Sequence, residues 1–185
     1  MKRLLVDLAL VAGVASTAQA MTFSQFQPEK SSIAFNFSQM GVGMDGHFKR
    51  LSSQLAFDPV QPAAAKVAVE VDLGSIDTGS KELDVEALGK EWFNIKSFPT
   101  ARFASTSVTS LGGNRYSVAG RLTVKGRARD IVVPATFKAQ GTSGVFEGAF
   151  TIHRADFQVG EGSWSAFDIV ANDVQVRFRI AALGQ

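Results

Sequence analysis

From residue 33 onward the chain alternates apolar and polar side chains with the two-residue period of half-buried β-strands. Ile33, Phe35 and Phe37 share one face, and Ala34, Asn36 and Ser38 the other. The alternation is cleanest over Lys66–Leu73, where Val67, Val69, Val71 and Leu73 point one way and Lys66, Ala68, Glu70 and Asp72 the other. It resumes over 101–108 and 116–124, on either side of the turn residues Gly112, Gly113 and Asn114. Further strands follow over 129–137, 144–157 and 169–181, the last with Val174, Val176, Phe178 and Ile180 on one face. Pro134 cannot donate to a ladder, so its strand is expected at an edge or a bulge. About eight strands of this kind predict an all-β, antiparallel barrel, whose interior is either filled by side chains or holds one ligand.

One stretch departs from the alternation. Between Ser75 and Phe103 the spacing of Leu83, Ala87, Leu88 and Trp92 is helical, a turn (Asp77, Thr78, Gly79) precedes it, and Pro99 terminates it. A single helix near residues 80–95 is therefore expected, lying against the barrel as a plug or flank, because a lone helix of that length needs a surface to pack on. Trp92, Phe93, Phe98 and Phe103 concentrate apolar surface where this helix ends.

Four segments in this order, SIDTG (75–79), the Trp92-Phe93 pair, FPTARF (98–103) and GRLTVKG (120–126), resemble the signature segments of the YceI-like family of bacterial periplasmic proteins. The resemblance extends over nearly all of the chain after residue 20. It implies a lipocalin-like barrel that holds a polyisoprenoid or similar lipid in an apolar tunnel. Where members of that family commonly carry a His after the first strand, this chain has Ser38, Gln39 and Met40. Any headgroup contact made there must use the Gln39 amide and the flexible Met40 side chain. Pattern and resemblance together nominate Phe35, Phe37, Gln39, Met40, Phe48, Trp92 and Phe93 as ligand-binding residues, with Phe98, Arg102, Phe103, Leu122, Phe137, Phe150 and Trp164.

Composition sharpens this picture at two points. Phe supplies 15 of the aromatic residues against two Trp and one Tyr, and Phe offers nothing but apolar surface. An aromatic core and a greasy cavity both satisfy that bias. Met1–Ala20 reads as a cleavable targeting segment, with Lys2 and Arg3 ahead of an apolar run and the small-x-small pattern Ala18-Gln19-Ala20. Residues 21–185 are then a single exported, periplasmic domain. The absence of Cys means that it folds without disulfides. With 19 Lys and Arg against 17 Asp and Glu and no basic block, no nucleic-acid partner is expected.

Candidate chemistry is sparse. Gly41, Gly43 and Gly46 match GxGxxG, but no helix follows to face a pyrophosphate, so a glycine-rich hairpin is the better reading. His47 and His153 lie in separate strands outside any ligand motif, and no Ser stands in GxSxG. Asp77 and Asp84 are explained by turn chemistry and a helix start. Lys125, Arg127 and Arg129 suit a solvated hairpin end better than a headgroup site, whereas Arg102, near the helix exit, meets a headgroup if it faces inward. The reading is a non-enzymatic carrier of an isoprenoid-type lipid or quinone, with no other cofactor and no metal. Transient contact with the membrane or a membrane redox protein accompanies it, and no oligomeric state is selected. The alternatives are an envelope enzyme acting on a lipid or ester, and a structural, stress-related barrel with a packed interior.

Overall fold

A computed structural model describes residues 21–185; the proposed targeting segment, residues 1–20, lies outside them. The described residues form eleven strands in one antiparallel sheet: β1 (Phe23–Phe26), β2 (Ser32–Gln39), β3 (Val42–Phe48), β4 (Leu51–Ala56), β5 (Lys66–Asp72), β6 (Ile76–Asp77), β7 (Thr100–Gly112), β8 (Arg115–Val124), β9 (Arg127–Gln140), β10 (Ser143–His153) and β11 (Asp173–Gly184). The spatial order is β4-β5-β7-β8-β9-β10-β11-β2-β3-β6, with β1 also on β11. Consecutive β3 and β4 thus stand far apart, β4 first and β3 next to last in the order, and the sheet curls around a lumen. The curl is tied where β1 passes from β11 to the far edge: Phe23 and Phe57 exchange both backbone hydrogen bonds, at 2.8 and 3.0 Å.

The expected all-β, lipocalin-like architecture holds, with more strands than the alternation suggested. Residues 47–58 split at Lys49-Arg50 into two strands, and the glycine-rich 40–46 is only in part a turn. Met40 and Gly41 make the hairpin, at φ +47° and +78°, and Val42 begins a true strand. β1 and β6 are too short to show a period. Pro134 pairs with Ser117 on β8, but β9 meets β10 only from Thr136 onward. The missing N–H thus sits just outside the β9–β10 ladder, which runs 136–140 on β9 while β10 continues to His153.

The helix α1 spans only Lys81–Ala87, shorter than the expected 80–95. Ser80 caps it by accepting a hydrogen bond from Leu83 N–H, and Asp84 receives Thr78 N–H and Oγ1–H, both at 2.8 Å. Beyond Ala87 the Leu88 N–H turns back to Val85 and Glu86, and residues 88–98 continue as tight turns. Leu83 and Ala87, four residues apart, face the lumen as predicted.

Several inward positions are glycines with a ring laid over them. A Cβ on Gly46 would strike the ring of Phe35, its cross-strand partner; one on Gly120 would strike Phe103, and one on Gly148 would strike Phe178. These rings lie along the wall on the neighbouring strand instead of standing into the lumen. At the β1 end Phe23 and Phe137 also cover a glycine, Gly144, but there the rings meet one another. Phe23, Phe57, Phe137 and Phe146 pack with centroids 4.6–4.9 Å apart, edge to face except for the tilted Phe137–Phe146 pair, and Tyr116 sits 5.2 Å from Phe57. That plug is close-packed, with Phe57 1% exposed. Phe57→Ala should therefore cost about 3–5 kcal/mol in a denaturant melt, since transfer and cavity terms add; a loss under about 1 kcal/mol would show that the plug does not hold the sheet closed.

Candidate functional site: an apolar tunnel with one polar end

Between the aromatic plug and α1 runs a cavity of about 280 Å³ with an almost wholly apolar wall. The wall is built by strand alternation: Ile33, Phe35 and Phe37 from β2, Val67, Val69 and Val71 from β5, and Val174, Val176, Phe178 and Ile180 from β11 all face it. α1 and the turns after it cover one side with Leu83, Ala87, Trp92 and Phe93, and Phe93 reaches Phe48 across a 6.2 Å centroid separation.

Most of the nominated residues meet here. Phe35, Phe37, Gln39, Phe48, Trp92, Phe93, Phe103, Leu122, Phe150 and Trp164 line the cavity. Three do not. Met40 occupies the hairpin tip and is 72% exposed, because the two-residue turn carries it past the strand. Phe98 packs on Gly126 beside a separate, half-polar depression. Phe137 belongs to the aromatic plug at 2% exposure. Arg102 borders the cavity, but its half-exposed guanidinium lies 3.1 Å from Glu70 on the paired strand, so it is engaged on the outer side. Lys125 departs from the expected solvated hairpin end: it is buried, and its Nζ donates to Gln158 O at 2.6 Å and to Glu161 Oε2 at 2.8 Å. His47 and His153 are both exposed, the latter 2.8 Å from Asp173.

The residue that sequence reasoning missed is Arg154. It is 3% exposed, yet among the described residues it forms no ion pair with a carboxylate. All five of its N–H groups go to main-chain carbonyls: Nε to Ala171, Nη1 to Val159 and Gly160, and Nη2 to Trp164 and Val170, at 2.7–3.1 Å. Desolvation pulls its pKa below the usual arginine range. The cation is further sandwiched by rings, 6.0 Å from the centre of Trp92 and 5.2 Å from that of Phe167. The signal was available: Phe146, Phe150 and Ile152 alternate inward along β10, and the next step of two is Arg154.

Around Arg154 the polar groups of the lining converge. Trp164 donates its indole N–H to Glu86 Oε1 on α1 at 2.9 Å. Trp164 and Trp92 lie 5.6 Å apart, and Gln39 bridges to Val170, whose carbonyl Arg154 holds. The cavity is therefore greasy along its length, and Gln39, Glu86, Arg154 and Trp164 of its lining come together where α1, the end of β2 and the 159–171 segment meet. Arg154 fastens that segment through its five carbonyl contacts. Such a container suits a long apolar molecule with a compact polar end.

The profile of the YceI-like domain matches residues 25–182. A UPF0312 protein of Pseudomonas syringae pv. tomato is 31% identical, the match covering 95% of this chain and 98% of that one. Among solved structures, BcnA of Burkholderia cenocepacia superposes with a TM-score of 0.83 at 37% identity, over 85% of this chain and 99% of its own. A polyisoprenoid-binding domain from Saccharophagus degradans superposes at 0.70 with 15% identity, over 90% and 99% of the two chains, a likeness of fold.

Replacing Arg154 by Lys keeps the charge but supplies three donors for five carbonyls. At least two buried acceptors lose their partner, so Arg154→Lys should lower stability by about 2–4 kcal/mol, read as a shifted denaturation midpoint at constant slope. A change within about 0.5 kcal/mol would show that the guanidinium is not the fastener.

Proposed function

Because the chain belongs to the YceI-like domain family and encloses an apolar tunnel with one polar end, we propose that it is a lipid-binding protein that carries an isoprenoid-type chain in that tunnel. The observation that carries this reading is the open lumen itself. A barrel serving only as structure would fill its interior to the density of its plug, whereas here rings lie flat over Gly46, Gly120 and Gly148 and leave space beside them. A branched, unsaturated chain matches a wall of Phe, Val, Ile and Leu side chains with scarcely a polar atom along its length. The solved relative from Saccharophagus degradans, described as a polyisoprenoid-binding domain, supports the same ligand class. An isoprenoid quinone is the ligand type proposed within it.

Transport through the cell envelope is part of the proposal, with residues 1–20 directing export and residues 21–185 acting in the periplasm. Exposed Met40, Val42 and Phe167 are available for brief contact with a membrane or a membrane protein during loading. The carrier does no chemistry of its own in this reading, because binding and release of the chain are sufficient.

Phe37 separates a ligand tunnel from a packed core. It lines the lumen and is only half-buried in the free protein, so Phe37→Ala should cost about 1–2 kcal/mol after delipidation. Reloading wild type with a long prenyl lipid should raise its stability with ligand concentration, and the variant should gain less. An equal, large loss in both states, with no lipid-dependent gain for wild type, would refute the carrier reading.

A further inference from the structure

Between β9 and β10 much of the barrel wall is not laced by main-chain hydrogen bonds. The two strands pair only over residues 136–140 and 143–147, yet β9 begins at Arg127 and β10 runs on to His153. Along the unpaired part each strand is held from its other side alone, β9 by β8 and β10 by β11. Main-chain groups alternate in direction along a strand, and Phe137 N–H points to β8 while Arg154 N–H points to β11. The N–H and C=O groups of Ala128, Asp130 and Val132 are therefore turned toward those of Ala149, Thr151 and His153 with no ladder between them. All six residues are exposed, so water satisfies these groups. The result is a slit about five residues, or about 17 Å, long. Both of its ends are closed. At one, the Pro134 carbonyl presses on Gly148, which has no room for a Cβ; at the other, the Arg127 guanidinium donates to Gln158 Oε1 at 2.6 and 3.1 Å. Pro134 stands where the next donor to β10 belongs, and it has no N–H to give.

We propose that this slit is the side door through which an apolar chain enters and leaves the tunnel. The inference rests on the lipid-binding reading above and deepens it. Directly behind the slit, Val133, Phe150 and Ile152 line the cavity. Its outer lips are apolar, with Val132 63% exposed and Ala149 facing it, while Asp130 is paired with Arg121 on β8. The two ends of the tunnel are both held shut, one by the plug around the buried Phe57, the other by the segment that Arg154 fastens through five carbonyls. Passage through a laced part of the wall would break ladder hydrogen bonds and leave their groups facing hydrocarbon. At the slit only side chains have to part. A chain can thus slide in sideways, its length along the strands, without unseating Arg154.

The chain has no cysteine, so an introduced pair of thiols acts at one place alone. Val132→Cys with Thr151→Cys puts thiols on outer positions that would oppose each other were the ladder to run on, and a short bis-maleimide joins them across the slit. Thr109→Cys with Ser117→Cys, joined in the same way across the intact β7–β8 ladder, is the control. The readout is the rate at which retinol, a fluorescent isoprenoid, passes from loaded protein to phosphatidylcholine vesicles, together with its equilibrium affinity. Joining the slit should slow transfer at least about tenfold and leave affinity within about twofold, because a door changes entry and exit alike. The joined control should transfer at the wild-type rate. Ala149→Trp needs no cross-link and lays a ring over the exposed lip; it should slow transfer about fivefold, and it decides the matter alone if the joined protein fails to fold. Wild-type rates in the joined protein and in Ala149→Trp, or equal slowing in the joined control, would overturn the door and leave the lipid reading standing. Failure of delipidated wild type to take up retinol would overturn both.

Discussion

The lumen exists because phenylalanine rings lie down on glycines. A Phe standing inward from one strand would meet its opposite number and close the barrel; laid over a glycine on the next strand, it becomes wall. Phe35 over Gly46, Phe103 over Gly120 and Phe178 over Gly148 repeat the device on three separate strand pairs. Each depends on the absence of one methyl group, and Gly148 has a second constraint, since a Cβ there would also collide with the Pro134 carbonyl where β9 leaves β10. The same residue type does the reverse at the β1 end, where Phe23, Phe57 and Phe137 meet edge to face and seal the barrel. Phenylalanine thus supplies both the stopper and the bore, and glycine lies under both, since a Cβ on Gly144 would strike Phe23 and Phe137 of the plug.

The opposite end is organised by charge. A buried guanidinium with no counter-ion is costly unless its hydrogen bonds are complete. Arg154 completes all five on carbonyls of residues 159–171, and this obliges an irregular segment to hold one shape over the tunnel end. Lys125 fastens the start of that segment from the β8–β9 turn, through Gln158 and Glu161. Both cations spend their donors on the protein itself, which leaves the lumen nearly free of charge. A lumen of that kind favours apolar chains and penalises ionic heads.

Much of this was legible beforehand. Period-two alternation gave the inward faces of β2, β5 and β11 residue by residue, and the break at residues 75–103 located the covering helix and the aromatic surface beyond it. What alternation does not encode is what lies across the strand. It could not tell that Phe137 would fall in the plug while Phe35 formed the wall, because that depends on which strands pair and in which register. Met40 and Phe98 were misplaced for a related reason: each sits in or beside a turn, where backbone geometry overrides face counting. Arg154 was passed over although it continues the inward face of the strand expected over 144–157, because its five carbonyls come from a segment with no period at all. The resemblance of SIDTG to its family was sound, and its aspartate takes the turn role expected of it, Asp77 accepting from Gly79 N–H, while Asp84 at the start of α1 accepts from Thr78.

The central claim is that the interior is a container for one apolar chain. The most direct measurement is mass spectrometry of the organic extract from protein purified out of its native cells under detergent-free conditions, compared with Gly46→Ala prepared in parallel. The added methyl forces the Phe35 ring off its glycine and into the bore. Wild type should yield a single class of long isoprenoid lipid near one molecule per chain, and Gly46→Ala should yield a small fraction of it. An extract with no enriched lipid, or one that mirrors bulk membrane phospholipid equally in both proteins, would contradict the claim.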